Sequence, residues 1–179
     1  MRSKLLTALT LGMMVSMVIG CGGDDKKDNN DNSNPLAPGS NSSSTTEGTV
    51  SIELSGALTD EIVMNGCVGS YSPVENWMGI NGTINNGQYT IMIEVVATKS
   101  GTYAIKGVAE AGINEGYGMF MVTMSQSIVT YNSISGSISF SDTKPKMKGS
   151  FNIMAQNTLT GETITLEGAF NIPAINIDE

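Results

Sequence analysis

Strict alternation of apolar and polar residues in the last third of the chain is the feature that most restricts the fold. Every second residue is apolar or Gly, and the residues between are mostly Ser, Thr, Asn, Lys or Glu. Because successive side chains of a strand point to opposite faces of a sheet, this pattern predicts half-buried antiparallel strands. The predicted inward-facing residues are Ile134, Gly136, Ile138 and Phe140, then Met147, Gly149, Phe151, Ile153 and Ala155, then Ile164, Leu166, Gly168, Phe170 and Ile172.

The rest of the domain shows the same period. Val50, Ile52 and Leu54 alternate with Ser and Glu and mark a first strand. Asn85-Asn86-Gly87 separates two apolar-alternating runs, which is a strong hairpin signal. No segment after residue 48 keeps a 3.6-residue period, so residues 49–179 are predicted to form one all-β antiparallel domain. Further strands are predicted over 61–71, 77–84, 88–96, 102–107 and 117–125, and 109–116 is either a loop or one helical turn.

A glycine recurs in mid-strand on the apolar face. Gly136, Gly149 and Gly168 occupy the third position of one template (apolar, polar, Gly, small, apolar), which Gly56 and Gly82 also match. Glycine normally weakens a strand, but its missing side chain lets a sheet bend, and a neighbouring aromatic ring can cover the gap. The repetition favours a small coiled-sheet barrel of the calycin type with an up-and-down meander. A two-layer β-sandwich is the alternative.

The N-terminal segment predicts export. Arg2 and Lys4 precede a run of fifteen apolar and hydroxyl residues, Leu5–Ile19, and an abruptly polar sequence follows Cys21. This order is typical of a secretory signal peptide, and the run is shorter than the ~20 residues of a membrane-spanning helix. With Cys21 directly after Gly20, the segment resembles a bacterial lipoprotein signal. The resemblance implies that residues 1–20 are removed, that Cys21 carries lipid, and, since Gly22 rather than Asp follows, that the protein reaches the outer membrane.

Residues 21–48 are predicted to be the lipidated cysteine and a disordered tether. The segment is rich in Gly, Asp, Asn and Ser and has Leu36 as its one large apolar residue, so it cannot bury enough surface to offset its ordering entropy. Its aspartates, Asp24, Asp25, Asp28 and Asp31, lack the glycine and the final glutamate of an EF-hand loop. They are interpreted as solvated linker residues.

The charge of the mature chain restricts its partners. Loss of Arg2 and Lys4 leaves seven lysines against seventeen acidic residues, a formal charge of −10. Such a chain has no electrostatic reason to bind nucleic acid or anionic headgroups, so the lipid on Cys21 must supply membrane attachment. The predicted partners are the membrane, through that lipid, and an unknown envelope or extracellular macromolecule.

The residue types argue against catalysis. The chain has no histidine, which excludes Ser-His-Asp and Cys-His arrangements. Gly116-Tyr117-Gly118 lacks the third glycine of a dinucleotide fingerprint and is interpreted as a turn. Glutamates on polar strand faces (Glu53, Glu94 and Glu167) are interpreted as solvated, although a glycosidase-type pair assembled by the fold stays open. We therefore predict no enzyme activity, no cofactor and no metal.

The sulfur-containing residues are predicted to be structural. Cys67 is the one cysteine besides Cys21, and we interpret it as a small buried hydrophobic residue rather than a reactive thiol. Met119-Phe120-Met121 has the thioether spacing used for Cu(I). Without histidine or a second such motif, Met119 and Met121 are interpreted as core filler.

Two functions compete at this point. The C-terminal third, with Lys148-Gly149-Ser150-Phe151, looks like small all-β envelope lipoproteins of uncharacterised function, which implies a non-catalytic interaction or structural module. The alternative is a calycin-like carrier of an apolar small molecule, with Met119, Met121 and Met147 lining its cavity. Ser100-Gly101-Thr102-Tyr103 also resembles a loop of lipoprotein lysozyme inhibitors, small barrels that usually carry a disulfide which Cys67 alone cannot form. That resemblance implies inhibition of an extracellular hydrolase.

Overall fold

Ten strands joined into one sheet make up the described chain, and the all-β prediction is confirmed. The structure is a computed structural model that describes residues 48–84, 87–124 and 127–178, and these residues contain no α-helix. The predicted signal peptide, Cys21 and the tether up to residue 47 lie outside the described residues. The strands are β1 (Thr49–Gly56), β2 (Asp60–Asn65), β3 (Val68–Ser72), β4 (Trp77–Ile84), β5 (Tyr89–Val95), β6 (Gly101–Lys106), β7 (Glu115–Met124), β8 (Ser127–Asp142), β9 (Lys146–Gln156) and β10 (Thr163–Asn176).

Backbone hydrogen bonds close the sheet into a small barrel. In order around the ring, β10 pairs with β9, then β8, β7, β5, β4 and β3 follow, and β3 pairs again with β10. The earlier part of β10 pairs with β1, and β2 extends the sheet by pairing with β1. β4 and β5 form the predicted hairpin, although Asn85 and Asn86 of its turn lie outside the described residues. The barrel prediction is confirmed.

Two parallel pairings distinguish this barrel from a simple meander. The end of β10 runs parallel to β3, and the start of β7 runs parallel to β6. The first pairing arises because the strand predicted over 61–71 is divided in two. Gly66 adopts a φ of 71°, and the Cys67 N–H donates to the Gly48 carbonyl at 2.9 Å, so the chain crosses from β2 to β3. The prediction of one strand here is wrong because glycine permits a reversal that an apolar pattern does not register. The ambiguous segment before β7 is a loop.

Two mid-strand glycines, Gly149 and Gly168, lie where a side chain would strike an aromatic ring. Gly149 is the register partner of Phe140 on β8 and of Phe170 on β10, whose rings meet edge to face with centroids 5.2 Å apart. A Cβ atom on Gly149 would lie 2.7 Å from the Phe170 ring and still closer to a backbone carbonyl of β8. Gly168 lies opposite Phe151 in the same way, with 2.5 Å between a built Cβ and the ring. The predicted covering of glycine by aromatic rings is confirmed at Gly149 and Gly168. It is wrong at Gly136, which is exposed and whose built Cβ would meet backbone atoms of β9 instead.

A β-bulge in β8 reverses one predicted core position. The register shifts between Ser133 and Ser135. A bulge inserts an extra residue into one strand, so the side chains before and after it change faces. Ser133 is therefore buried, and Ile134 is 41% exposed. The prediction that Ile134 belongs to the core is wrong, whereas Ile138 and Phe140, beyond the bulge, are buried as predicted.

The buried Ser133 hydroxyl serves the backbone where the sheet branches. β7 pairs with β6 up to Tyr117 and with β8 from Met119 onwards, which leaves Gly118 between the two ladders. Ser133 Oγ accepts a hydrogen bond from the Gly118 N–H at 2.8 Å and donates one to the Lys106 carbonyl at 2.6 Å. Buried backbone groups without partners are costly, so this hydroxyl stabilises the branch.

Candidate functional site

Apolar side chains of the described strands pack into one core inside the barrel. The apolar side chains predicted to face inward on β9 and β10 are buried, and Met147 is 0% exposed. A cavity between Ile93, Gly118, Phe120 and Ile153, with Met119 also in its wall, has a volume of about 10 Å³. A single water molecule needs about that much space, whereas pockets for small molecules occupy roughly 300–1,000 Å³. A ligand would have to displace core side chains to enter this cavity.

Cys67 lies in the core, as predicted. Its side chain is 2% exposed, and its Sγ lies 3.5 Å from the Met64 carbonyl oxygen, to which the thiol donates. Burial raises the pKa of the Cys67 thiol to about 11, so the thiol stays protonated at neutral pH. Because the thiolate is the reactive form of cysteine, this residue is chemically inert in the folded domain.

Three glutamates line up across neighbouring strands on the outside of the barrel. Glu53 on β1 is the register partner of Glu61 on β2 and of Glu167 on β10. All three side chains are exposed, as alternation predicted for Glu53 and Glu167. We call these three residues the acidic face. Like charges directly opposite each other destabilise a sheet, by up to about 1 kcal/mol per pair.

The acidic face lacks the two environments that a glycosidase-type carboxylate pair uses. In such a pair, burial keeps one carboxyl protonated while the other is ionised. Glu53 and Glu167 are both exposed, so burial distinguishes neither of them. The residues that the structure describes also contain no group of three His, Cys, Asp or Glu side chains placed to hold a metal ion.

Two methionines predicted to fill the core lie on the outer face. Along β7, Phe120 is buried while Met119 and Met121 are half-buried on the opposite side. The core-filler prediction for these two residues is wrong, because Phe120 between them takes the inward position. Met92 on β5 is also half-buried on the outer face and is the register partner of Met119. We call Met92, Met119 and Met121 the thioether cluster.

Tyr117 and Glu94 form a polar pair beside the thioether cluster. They are register partners on β7 and β5, and the Tyr117 hydroxyl donates a short hydrogen bond to the Glu94 carboxylate. Burial, and then this bond, raise the pKa of Tyr117. Glu94 is half-buried, so the prediction that it is solvated is wrong. The predicted turn at Gly116-Tyr117-Gly118 is also wrong, since all three residues lie within β7.

The segment that resembles an inhibitor loop is a short turn leading into β6. Ser100, Gly101 and Thr102 are exposed, while the Tyr103 ring turns into the core. The Tyr103 hydroxyl donates to the Lys99 carbonyl at 2.6 Å and holds the turn in place. The turn is therefore available on the surface, and its inhibitory role stays a prediction.

Comparison with known proteins assigns no family to this chain. A search of family models, curated proteins and solved structures finds no match for this chain. Within the described ranges, no helix has the length and apolar character needed to cross a membrane.

Proposed function

We propose that the protein is a lipid-anchored bacterial envelope protein whose barrel is a non-catalytic interaction module. Support for the anchor comes from the sequence: Arg2 and Lys4, the apolar run to Ile19, and Cys21 with Gly22 after it. In this proposal the lipid on Cys21 holds the protein in the outer membrane. The tether gives the domain a reach on the order of 30 Å toward a partner.

The packed apolar core of the described strands is the observation that favours the interaction module over the carrier. A carrier of an apolar molecule needs an interior void of ligand size, and the cavity beside Gly118 has about 10 Å³. The inward glycines do not leave that room, because Phe170 and Phe151 lie over Gly149 and Gly168. Recognition in this proposal therefore takes place on the outside of the barrel.

The acidic face is the proposed contact surface, and its partner is a macromolecule with a cationic surface. Glu53 has a glutamate opposite it on both sides, an arrangement that lowers stability and that folding alone does not require. The adjoining strand β2 pairs with β1 only, among the described strands, and Val63 on it is 55% exposed. A charged row beside a sheet edge suits a partner that brings complementary charge.

Photo-crosslinking in the producing cells tests this proposal. A photoreactive amino acid replaces Val63 beside the acidic face in one strain, and Leu159, which is 94% exposed in the β9–β10 turn, in another. We expect a discrete crosslinked partner from position 63 and none from position 159. The same crosslink at both positions, or at neither, would count against the acidic face.

Neutralising the acidic face tests its role in partner binding separately from its effect on stability. In Glu53→Gln/Glu167→Gln, the crosslink from position 63 should weaken. The domain should gain up to about 2 kcal/mol of stability, because the repulsion of Glu53 with Glu61 and with Glu167 is removed. Glu110→Gln, an exposed change in the loop before β7, is the control and should alter neither property. An undiminished crosslink in the double variant would show that the acidic face is not the contact surface.

A further inference from the structure

The thioether cluster places three methionine side chains on one outer patch of the barrel. Met92 and Met119 are directly opposite on β5 and β7, and Met121 is two residues further along β7 on the same face. Side chains directly opposite have Cβ atoms about 4.5–5.5 Å apart, and diagonal neighbours such as Met92 and Met121 about 7–8 Å. Each methionine is unbranched with three rotatable bonds, so the sulfurs can converge on one point between the strands.

The patch is partly buried yet open to an ion. All three side chains are half-buried, unlike Met64, Met78 and Met147, which are fully enclosed in the core. Partial burial removes some competing water while leaving a route for a small cation.

The charge around the cluster favours a cation. The Glu94 carboxylate lies two residues from Met92 on the same face of β5. Lys106 is opposite Tyr117 on β6, on the far side of β7 from Met92. Tyr117 occupies the outward position of β7 just before Met119 and donates its hydroxyl hydrogen to Glu94. That bond fixes the carboxylate at the margin of the patch, and a fixed negative charge there attracts a positive ion.

Thioether sulfur selects the kind of ion. Soft thioether ligands select Cu(I), whereas Mg²⁺, Ca²⁺ and Mn²⁺ suit carboxylate, carbonyl and water oxygens. We propose that Met92, Met119 and Met121 bind one soft monovalent metal ion, Cu(I) or its stable analogue Ag(I). This proposal does not depend on the interaction module, because it concerns β5 and β7 rather than the acidic face.

Methionine-methyl NMR tests the site directly. The full chain, as Cys21→Ser to remove a competing thiol, is labelled with ¹³C at the methionine methyls and titrated with Ag(I). We expect the methyl signals of Met92, Met119 and Met121 to shift together and to saturate near one equivalent. Signals that do not move, or that move without saturating together, would overturn the proposal.

Methionine-to-leucine variants test whether the sulfur atoms, and not only the shape of the patch, bind the metal. Met→Leu conserves volume and apolar character but removes the sulfur, so circular dichroism should report an unchanged fold. Met119→Leu and Met92→Leu should each weaken Ag(I) binding by at least about tenfold. Met154→Leu, an outward methionine on β9 that is 43% exposed, should bind as the parent does. Equal affinity in Met119→Leu and the parent would refute the site, as would a methyl shift with Ca²⁺ equal to that with Ag(I).

Discussion

Replacing Gly149 by alanine tests whether the mid-strand glycines are required for the curvature of the barrel. The added Cβ would lie 2.7 Å from the Phe170 ring and nearer still to the Ser139 carbonyl oxygen. The ring can rotate, but the carbonyl belongs to the backbone of β8 and cannot move without disturbing the β8–β9 ladder. Overpacking a core costs typically 1–3 kcal/mol, and displacing a paired strand adds to that, so we expect a loss of about 3 kcal/mol or more.

Urea unfolding followed by circular dichroism measures this loss. A domain of this size is stable by roughly 5–15 kcal/mol, so the variant should fold but with a clearly lower midpoint. Gly107→Ala is the matched control, because the nearest atom to its Cβ lies 3.7 Å away. It should change stability by no more than about 1 kcal/mol, in the stabilising direction. Equal midpoints for the two variants would refute the role given to Gly149.

Three further predictions concern the core, the bulge and pH. Phe151→Ala should destabilise the domain by about 3–5 kcal/mol, whereas Ile134→Ala should cost less than about 1 kcal/mol. Comparable losses for the two variants in thermal melts would contradict the assignment of Phe151 to the core and of Ile134 to the outer face. Ser133→Ala should cost about 2 kcal/mol, because it removes the partner of the buried Gly118 N–H and of the partly buried Lys106 carbonyl. The exposed Ser135→Ala should be near neutral, and equal urea midpoints for the two variants would argue against the branch-point role. The pKa of Cys67 in the folded domain, about 11, exceeds its ordinary value of 9.0. The stability contributed by burying the protonated thiol is therefore complete below pH 9 and is lost as the pH rises toward 11. Cys67→Ala should therefore remove about 2 kcal/mol of the alkaline destabilisation between pH 9 and 11, and parallel pH profiles of the two proteins would exclude this coupling.

Alternation predicted the strands best where a strand is regular and has one buried face. The inward apolar residues of β9, including Met147, Phe151 and Ile153, are buried as predicted. The glycine template also predicted curvature, because only a missing side chain leaves room for Phe170 over Gly149. Both signals are local, so they can be read from the sequence without knowing which strands pair.

The misassigned positions depend on pairing between distant strands. The bulge that turns Ser133 inward and Ile134 outward follows from the branch where β6 enters between β7 and β8. The sequence held one hint of it, since Tyr131 and Ile134 are apolar but three residues apart, which breaks the period of two. Alternation around Met119 and Met121 was itself ambiguous, because the alternate positions, Gly118, Phe120 and Val122, are equally compatible with an inward face.

The acidic face and the thioether cluster could not be predicted because each spans several strands. Glu61, Glu53 and Glu167 come from β2, β1 and β10, and only the register of those strands aligns them. Met92 is distant in sequence from Met119 and meets it only through the β5–β7 pairing. The residue types were visible in the sequence, but their neighbours were not.

Native mass spectrometry of the protein, released from its own membranes in mild detergent, tests the central claim most directly. We predict a chain that begins at Cys21, carries covalent lipid, and holds no apolar small molecule in its barrel. An unmodified Cys21, or a chain that still begins at Met1, would contradict the proposed anchor. A stoichiometric apolar ligand would contradict the interaction module and favour the carrier.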